Sequence, residues 1–179
     1  IYLEAKLGYE IGDRLAFLWG NATDIPQPST RRQELIERVV WRRISYMPVQ
    51  IEAKRLLEFA TKVNRFRPEV MRAYPSLLYF YCRFLREHGI ESVPIPLSLV
   101  TAEQLFDFQR DLIVETLGGE VMEKYGAREI GTAAIECRYH RGLHLITDSV
   151  LVEIEPLPDN SLHNVGRIIV TDLRNYAMP

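Results

Sequence analysis

Short apolar runs alternate with longer segments of helical spacing up to about residue 125, and this alternation most constrains the fold. Four runs are typical of buried strands: Arg14–Gly20, Pro68–Tyr74, Val93–Thr101 and Glu120–Tyr125. Between them, capping residues and helical spacing predict a helix that begins at Ser29 or Thr30, and helices over Gln50–Asn64, Ser76–Glu87 and Ala102–Leu117. Strands joined by helices form parallel βαβ units, so the sequence predicts an α/β fold.

The pattern changes after residue 132. Four stretches alternate without helical spacing and predict antiparallel strands: Ala133–Tyr139, Leu143–Ile146, Ser149–Glu155 and Arg167–Leu173. Asn21–Ser29 and Pro156–Asn164 are predicted loops. We therefore divide one domain into an α/β part, residues 1–132, and an antiparallel β segment, residues 133–179.

Composition excludes several classes of protein. A net charge of −2 provides no field that would gather nucleic acid. The longest apolar runs are far shorter than the ~20 residues that cross a bilayer, so no membrane span is predicted. Two cysteines cannot form a disulfide framework, which indicates a cytoplasmic protein. The first residues resemble neither a signal peptide nor a natural amino terminus, so we expect an internal piece of a longer protein.

Polar and small residues follow three of the predicted strands, where ligands collect in parallel sheets. These strand ends are Tyr74–Ser76, Thr101–Glu103 and Tyr125–Ala127. Tyr125 offers a ring for a flat heterocycle, and Gly126 and Gly131 leave room for a ligand near the backbone. Glu129 offers a carboxylate for Mg²⁺. The alternative is an ordinary turn with a surface salt bridge between Arg128 and Glu129.

A second candidate site lies in the predicted antiparallel region. Cys137, His140 and His144 have a spacing that suits Zn²⁺ on a hairpin, although a structural zinc site usually has four ligands. The alternative is a small buried cysteine beside a histidine whose ring is satisfied by backbone groups. Both interpretations stay open from the residues alone.

Taken in order, these motifs resemble the phenylacetate-coenzyme A ligase family of adenylate-forming enzymes and its capsule-biosynthesis relatives. The resemblance covers nearly the whole chain and is carried by Ala73-Tyr74-Pro75-Ser76, Thr101-Ala102-Glu103, Tyr125-Gly126-Ala127-Arg128-Glu129 and the stretch from Gly166. Two positions depart from the family pattern: Ala73 replaces Gly, and Arg128 replaces Thr or Ser, as in the capsule-type relatives.

The resemblance implies roles for these residues. Tyr125 would contact adenine, with Gly126, Ala127 and Arg128 in the same ATP-holding segment, and Glu129 would hold Mg²⁺ as the catalytic residue. Ala102 and Glu103 would border the adenine, and Tyr74, Pro75 and Ser76 would lie near the acyl group. Many relatives also carry counterparts of Cys137 and His144, which supports a structural zinc ion.

The implied reaction is activation of a carboxylic acid by ATP to an acyl adenylate, followed by transfer of the acyl group to coenzyme A. The implied location is the cytoplasm. Some relatives are homodimers, so a homodimer is a further expectation. We expect the 179 residues alone to be inactive, because they lack the family's phosphate loop, ribose-binding Asp and catalytic Lys. The alternatives are an inactive nucleotide-binding scaffold and a zinc-stabilised α/β binding module.

Overall fold

The chain divides into two compact units, residues 1–123 and 124–179. The computed structural model describes residues 10–20, 30–47, 52–157 and 165–177. The division predicted at residue 132 marks a change of sequence pattern and stays a prediction. No helix in the described ranges is long and apolar enough to cross a membrane.

The first unit is built on a parallel sheet covered by helices. Its strands are β1 (Leu15–Leu18), β2 (Arg43–Tyr46), β3 (Val70–Ala73), β4 (Leu97–Val100) and the first residues of β5 (Glu120–Ala127). Its helices are α1 (Arg31–Val39), α2 (Ala53–Phe66), α3 (Pro75–Glu87) and α4 (Asp107–Leu117). The strands run in the order β2-β1-β3-β4-β5, and all are parallel as far as Glu123. The predicted α/β fold is confirmed.

The core of this unit follows from the helical spacing of apolar residues. Helix α2 buries Leu56, Phe59, Ala60 and Val63, which recur every three or four residues. The Phe59 ring meets the Tyr81 ring of α3 edge to face, with centroids 5.5 Å apart. Burial raises the pKa of Tyr81 far above its usual value, and it raises that of Cys82 on the same helix to about 12.

Helix α3 begins where the sequence predicts. Pro75 is its first residue, where a missing backbone N–H costs nothing because the first turn has no intrahelical acceptor. Helix α4, in contrast, begins at Asp107 and not at Ala102. Ala102 has a φ of 72°, a left-handed conformation that a right-handed helix cannot contain. The residues after β4 therefore form a loop, and the predicted helix start is wrong by five residues.

Strand β2 was not predicted, because its sequence Arg-Ile-Ser-Tyr carries few apolar residues. Among the described strands it pairs only with β1, in a register that places Leu15 opposite Arg43. Helix α1 is capped by Thr30 as predicted, and Gln33 completes a capping box. Its described side chains are nevertheless not buried.

The second unit is antiparallel, which confirms the change of pattern seen in the sequence. The end of β5 pairs with β6 (Gly131–Glu136), and β6 pairs with β7 (Leu143–Leu145). Strands β8 (Val150–Pro156) and β9 (Gly166–Asp172) form a separate hairpin. The predicted loop over Asn21–Ser29 and residues 158–164 of the other predicted loop lie outside the described residues.

Candidate active site

Two of the three predicted strand-end motifs are in direct contact in the first unit. Tyr74, Pro75 and Ser76 follow β3, and Thr101, Ala102 and Glu103 follow the neighbouring strand β4. The Ser76 backbone N–H donates a hydrogen bond to the Glu103 carboxylate, with an N–Oε2 distance of 3.0 Å. Residues 27 positions apart in the chain are thus joined at one edge of the sheet.

The Glu103 carboxylate caps helix α3 from another element. The helix receives no side-chain hydrogen bond from its own N-cap residue, Tyr74. Ser76 lies in the first turn, where backbone N–H groups have no intrahelical acceptor and the helix dipole favours negative charge. Glu103 satisfies one of these donors and contributes a negative charge there.

Tyr74 lies beside this carboxylate. Burial, and secondly the charge of Glu103, raise the pKa of the Tyr74 phenol. The phenol is therefore protonated at neutral pH, and it presents an aromatic ring with one hydroxyl donor. Such a group can orient a ligand but cannot serve as a base.

Trp19 is a candidate site residue that the sequence prediction missed. It follows β1, which neighbours β3, and its ring centroid lies 4.9 Å from that of Tyr74. Gly20 makes room for this pair, because a Cβ atom there would lie 2.9 Å from Cε2 of Tyr74. The signal available in the sequence was an aromatic residue and a glycine at the end of a predicted strand, the same pattern that singled out Tyr125.

The Tyr125 motif has a different local structure from the one predicted. Tyr125 lies inside β5, paired with Ala134, because the strand continues to Ala127. The prediction of a strand end at Tyr125 is wrong by two residues. The register of β5 and β6 shifts between Tyr125 and Gly126, as in a β-bulge.

Gly126 is required by the hairpin itself. A Cβ atom at Gly126 would collide with the carbonyl oxygen of Gly131 on the facing strand. Gly131 has a φ of 70°, which favours glycine. The sequence predicts that a ligand comes close to the backbone at Gly126. In the structure, the facing strand β6 occupies that space instead.

Arg128 and Glu129 lie in the turn between β5 and β6, and both are exposed, as are Tyr125 and Ala127. Glu129 presents a single carboxylate to solvent. This fits the chemistry of Mg²⁺, which takes one or two protein carboxylates and completes its shell with water and phosphate oxygens. Tyr125 and Glu129 thus lie on one exposed hairpin of the second unit.

Cys137 and His144 are brought together by the β6–β7 hairpin. The Cys137 Sγ atom lies 3.1 Å from His144 Nε2. His140 instead contacts the buried Glu136 carboxylate, with an Nδ1–Oε1 distance of 3.1 Å. Within the described ranges, no group of three or more His, Cys, Asp or Glu side chains is arranged to hold a metal ion.

Comparison with known proteins gives a likeness of structure only. No family model and no curated protein matches the sequence. The structure of the 2-hydroxyisobutyryl-CoA ligase HCL in complex with 2-HIB-AMP and CoA is 15% identical, with a TM-score of 0.63, and the match covers 92% of this chain and 37% of that chain. VinN in complex with L-aspartate is 18% identical, with a TM-score of 0.62 and coverage of 95% and 42%.

A long-chain-fatty-acid-CoA ligase, FadD1 from Archaeoglobus fulgidus, is 10% identical, with a TM-score of 0.59 and coverage of 95% and 36%. This chain thus spans between 36% and 42% of the length of these three proteins. Over most of its length, the chain has the fold of part of these CoA ligases.

Proposed function

We propose that this chain is part of an enzyme that activates a carboxylic acid with ATP and transfers the acyl group to coenzyme A. The observation that carries the proposal is the shared fold with CoA ligases, one of which was solved with 2-HIB-AMP and CoA. The order of the Tyr74, Ala102 and Tyr125 motifs supports the narrower assignment to the phenylacetate-coenzyme A ligase and capsule-type group.

In the proposed first step, a carboxylate oxygen of the substrate attacks the α-phosphorus of ATP. An oxygen–phosphorus bond forms, the bond from the α-phosphorus to the bridging oxygen breaks, and pyrophosphate leaves. In the second step the coenzyme A thiolate attacks the acyl carbon, a thioester forms and AMP leaves with the electron pair of the broken carbon–oxygen bond. Neither step needs a protein nucleophile, so the protein acts by positioning and by charge stabilisation.

The residues of the first unit serve the acyl side in this proposal. Tyr74 and Trp19 form an aromatic wall at the carboxyl ends of neighbouring strands. Glu103 fixes the start of α3 next to that wall through Ser76. Ala102 and Glu103 would also border the adenine.

The residues of the β5–β6 hairpin serve the nucleotide. The exposed Tyr125 ring would stack on adenine, and Arg128 would contribute positive charge near the phosphates. Glu129 would hold Mg²⁺, which when bound would supply positive charge close to the phosphates. The hairpin turn keeps this carboxylate open to solvent.

A structural zinc ion at Cys137 and His144 is a further part of the proposal. Cys137 Sγ and His144 Nε2 lie 3.1 Å apart, and sulfur and imidazole nitrogen are the donor types that zinc prefers. His140 would have to leave Glu136 to become a third ligand. Metal analysis of the purified protein, with Cys137→Ser as the control, tests this part.

The experiment that tests the proposal measures carboxylate-dependent pyrophosphate release by the intact parent protein with a panel of aryl and alkyl acids. We expect release with at least one acid, and a loss of at least 100-fold in Glu129→Ala. Glu153→Ala is the matched control, because Glu153 is an exposed carboxylate on β8 of the same unit.

Two outcomes would contradict the proposal. ATP binding without release for any acid would favour a nucleotide-binding scaffold. Equal activity in Glu129→Ala and Glu153→Ala would remove Glu129 from the magnesium site. The isolated 179 residues are expected to release no pyrophosphate in the same assay.

A further inference from the structure

A groove of about 650 Å³ lies in the first unit, away from the strand ends that carry the proposed active site. It is bounded by α1, the start of β2 and the last turns of α2, with Arg43 and Phe66 among its lining residues. Tyr74 and Glu103, in contrast, follow the carboxyl ends of β3 and β4. The groove therefore opens near the amino end of β2 and is separate from the proposed active site.

Four apolar side chains line the groove. Leu35 and Val39 of α1 face it with exposed fractions of 53% and 62%, and Ile44 and Phe66 also line it. Exposed apolar side chains that are grouped in one groove, rather than scattered singly, are typical of a binding surface. Helix α1 itself buries none of its described residues, so this apolar surface is not used by the internal core.

Five basic and two acidic residues surround the apolar side chains, namely Arg31, Arg38, Arg43, Lys62 and Arg65 against Glu34 and Glu37. Both carboxylates are paired. Lys62 Nζ lies 2.8 Å from Glu34 Oε1, and Arg43 Nη2 lies 2.6 Å from Glu37 Oε1. These pairs connect α1 to α2 and to β2, and they hold the helix beside the groove.

Three arginines of the groove are left in excess. In the described part of the chain, Arg31, Arg38 and Arg65 form no ion pair within 4.0 Å, and the long-range attraction of Arg31 and Arg38 is to a Glu34 already paired with Lys62. The lowered pKa of Glu34 has the same origin, first Lys62 and then these arginines of α1. The groove thus combines an apolar floor with an uncompensated cationic rim.

We propose that this groove binds a small anionic amphiphile, a molecule with an aliphatic body and one carboxylate or phosphate head. The aliphatic body would cover Leu35 and Val39, and the head would pair with Arg38 and Arg65. The volume lies within the roughly 300–1,000 Å³ that small-molecule sites occupy. Charge complementarity selects an anion, and the apolar floor selects one with a hydrocarbon body.

Titration calorimetry of the intact parent protein with octyl phosphate tests the proposal. Octyl phosphate carries no carboxylate, so it cannot be adenylated as a substrate of the proposed function. We expect 1-octanol and inorganic phosphate to bind at least tenfold more weakly, because each lacks half of the ligand. Replacing both arginines, Arg38→Gln with Arg65→Gln, should weaken octyl phosphate about tenfold or more.

Two control variants distinguish the groove from other sites. The double variant Arg38→Lys with Arg65→Lys keeps the charges and should retain most of the affinity. Arg83→Gln removes an exposed arginine of α3 that is paired with Glu87, and it should leave binding unchanged. Circular dichroism melting would establish that each variant is folded.

Three results would overturn the inference. Octyl phosphate could fail to bind at millimolar concentration, which would exclude the groove as a site for an anionic amphiphile. Binding that survives the glutamine variants but is lost in Tyr74→Ala would belong to the proposed acyl site. Equal binding of inorganic phosphate would show that the apolar floor takes no part.

Discussion

For the Glu103 side chain, the structure and the family resemblance suggest different roles. The resemblance implies that it borders adenine, whereas its observed hydrogen bond holds the first turn of α3. The two roles are compatible, because one carboxylate oxygen accepts from Ser76 and the other remains available. Experiments can distinguish the two roles, because capping affects stability and an adenine contact affects ATP affinity.

Glu103→Ala should therefore lower the free energy of unfolding by about 0.5–2 kcal/mol, the usual cost of losing a helix cap. Glu103→Gln keeps an acceptor and should lose less than half of that amount. Urea denaturation of both variants measures the difference. Gln104→Ala, an exposed neighbour, is the control. A Glu103→Ala variant as stable as the control would contradict the capping role.

The buried thiol of Cys82 should make the stability of the folded protein depend on pH in the alkaline range. Burial raises its pKa from 9.0 in the unfolded chain to about 12 in the folded protein. Because the raised value favours the protonated thiol, its contribution to stability is complete below pH 9 and is lost as the pH rises towards 12. Between pH 9 and pH 12, one such group lowers the free energy of unfolding by up to about 1.4 kcal/mol per pH unit.

Urea denaturation at pH 8, 9.5 and 10.5 measures this slope. Cys82→Ala should be less stable than the wild type at pH 8, because it leaves a cavity in the core, and its stability should then fall less steeply with pH. Burial, the main cause of the raised pKa of Tyr81, acts in both proteins, whereas the smaller contribution of the Cys82 charge is lost in the variant. Parallel slopes in the two proteins would show that Cys82 ionises freely in the folded state.

At the scale of elements, the β5–β6 hairpin depends on a glycine for its pairing. Gly126→Ala places a methyl group against the Gly131 carbonyl oxygen, so the strands must separate or shift. We expect destabilisation of about 1–3 kcal/mol, the usual cost of overpacking. Glu153→Ala is a control in the same unit, because Glu153 is an exposed residue of β8. Thermal unfolding of both variants measures the effect.

This result bears on how activity data should be interpreted. A loss of activity in Gly126→Ala would come from the hairpin fold, because the partner strand already occupies the space that a ligand would need. If Gly126→Ala is as stable as the wild type and loses only ATP affinity, then the ligand interpretation of this glycine is correct and the structural one is wrong.

The predictable elements are those whose signals are local. Helix α3 has a proline at its first position and apolar residues at helical spacing, and its predicted and observed bounds agree closely. Strand β2 escaped prediction because an edge strand with Arg43 and Ser45 lacks a continuous apolar run. The left-handed Ala102 shortened α4, and no local signal marks an alanine as left-handed.

The site shows the same limit. Tyr74, Ser76 and Glu103 were predicted from motifs at strand ends, but the hydrogen bond that joins them connects residues far apart in sequence. Trp19 is recognised as a candidate site residue only through its contact with Tyr74, and that contact depends on β1 and β3 being neighbours. Strand order is a tertiary property, so a single sequence indicates strand ends more readily than the residues that meet there.

At the scale of the whole molecule, the two units differ in how much apolar surface they bury. The first unit contains a large cluster of buried apolar side chains on α2, α3 and the parallel strands. In the second unit, Ile154 of β8 and Ile168 of β9 remain 67% and 48% exposed, although they face each other across the hairpin. An isolated two-stranded hairpin is marginally stable in water.

Hydrogen exchange should therefore separate the units within this chain. Amides of β3 and β4 should exchange only through global unfolding, whereas those of β8 and β9 should exchange through local opening, at least 100-fold faster. Mass spectrometry of proteolytic fragments measures both rates in one sample. The same measurement on the intact parent protein should show slower exchange in β8 and β9 if other residues cover Ile154 and Ile168. Equal protection of the hairpin and of β3–β4 in the 179-residue chain would contradict the argument, because it would mean that two exposed strands are as stable as the core.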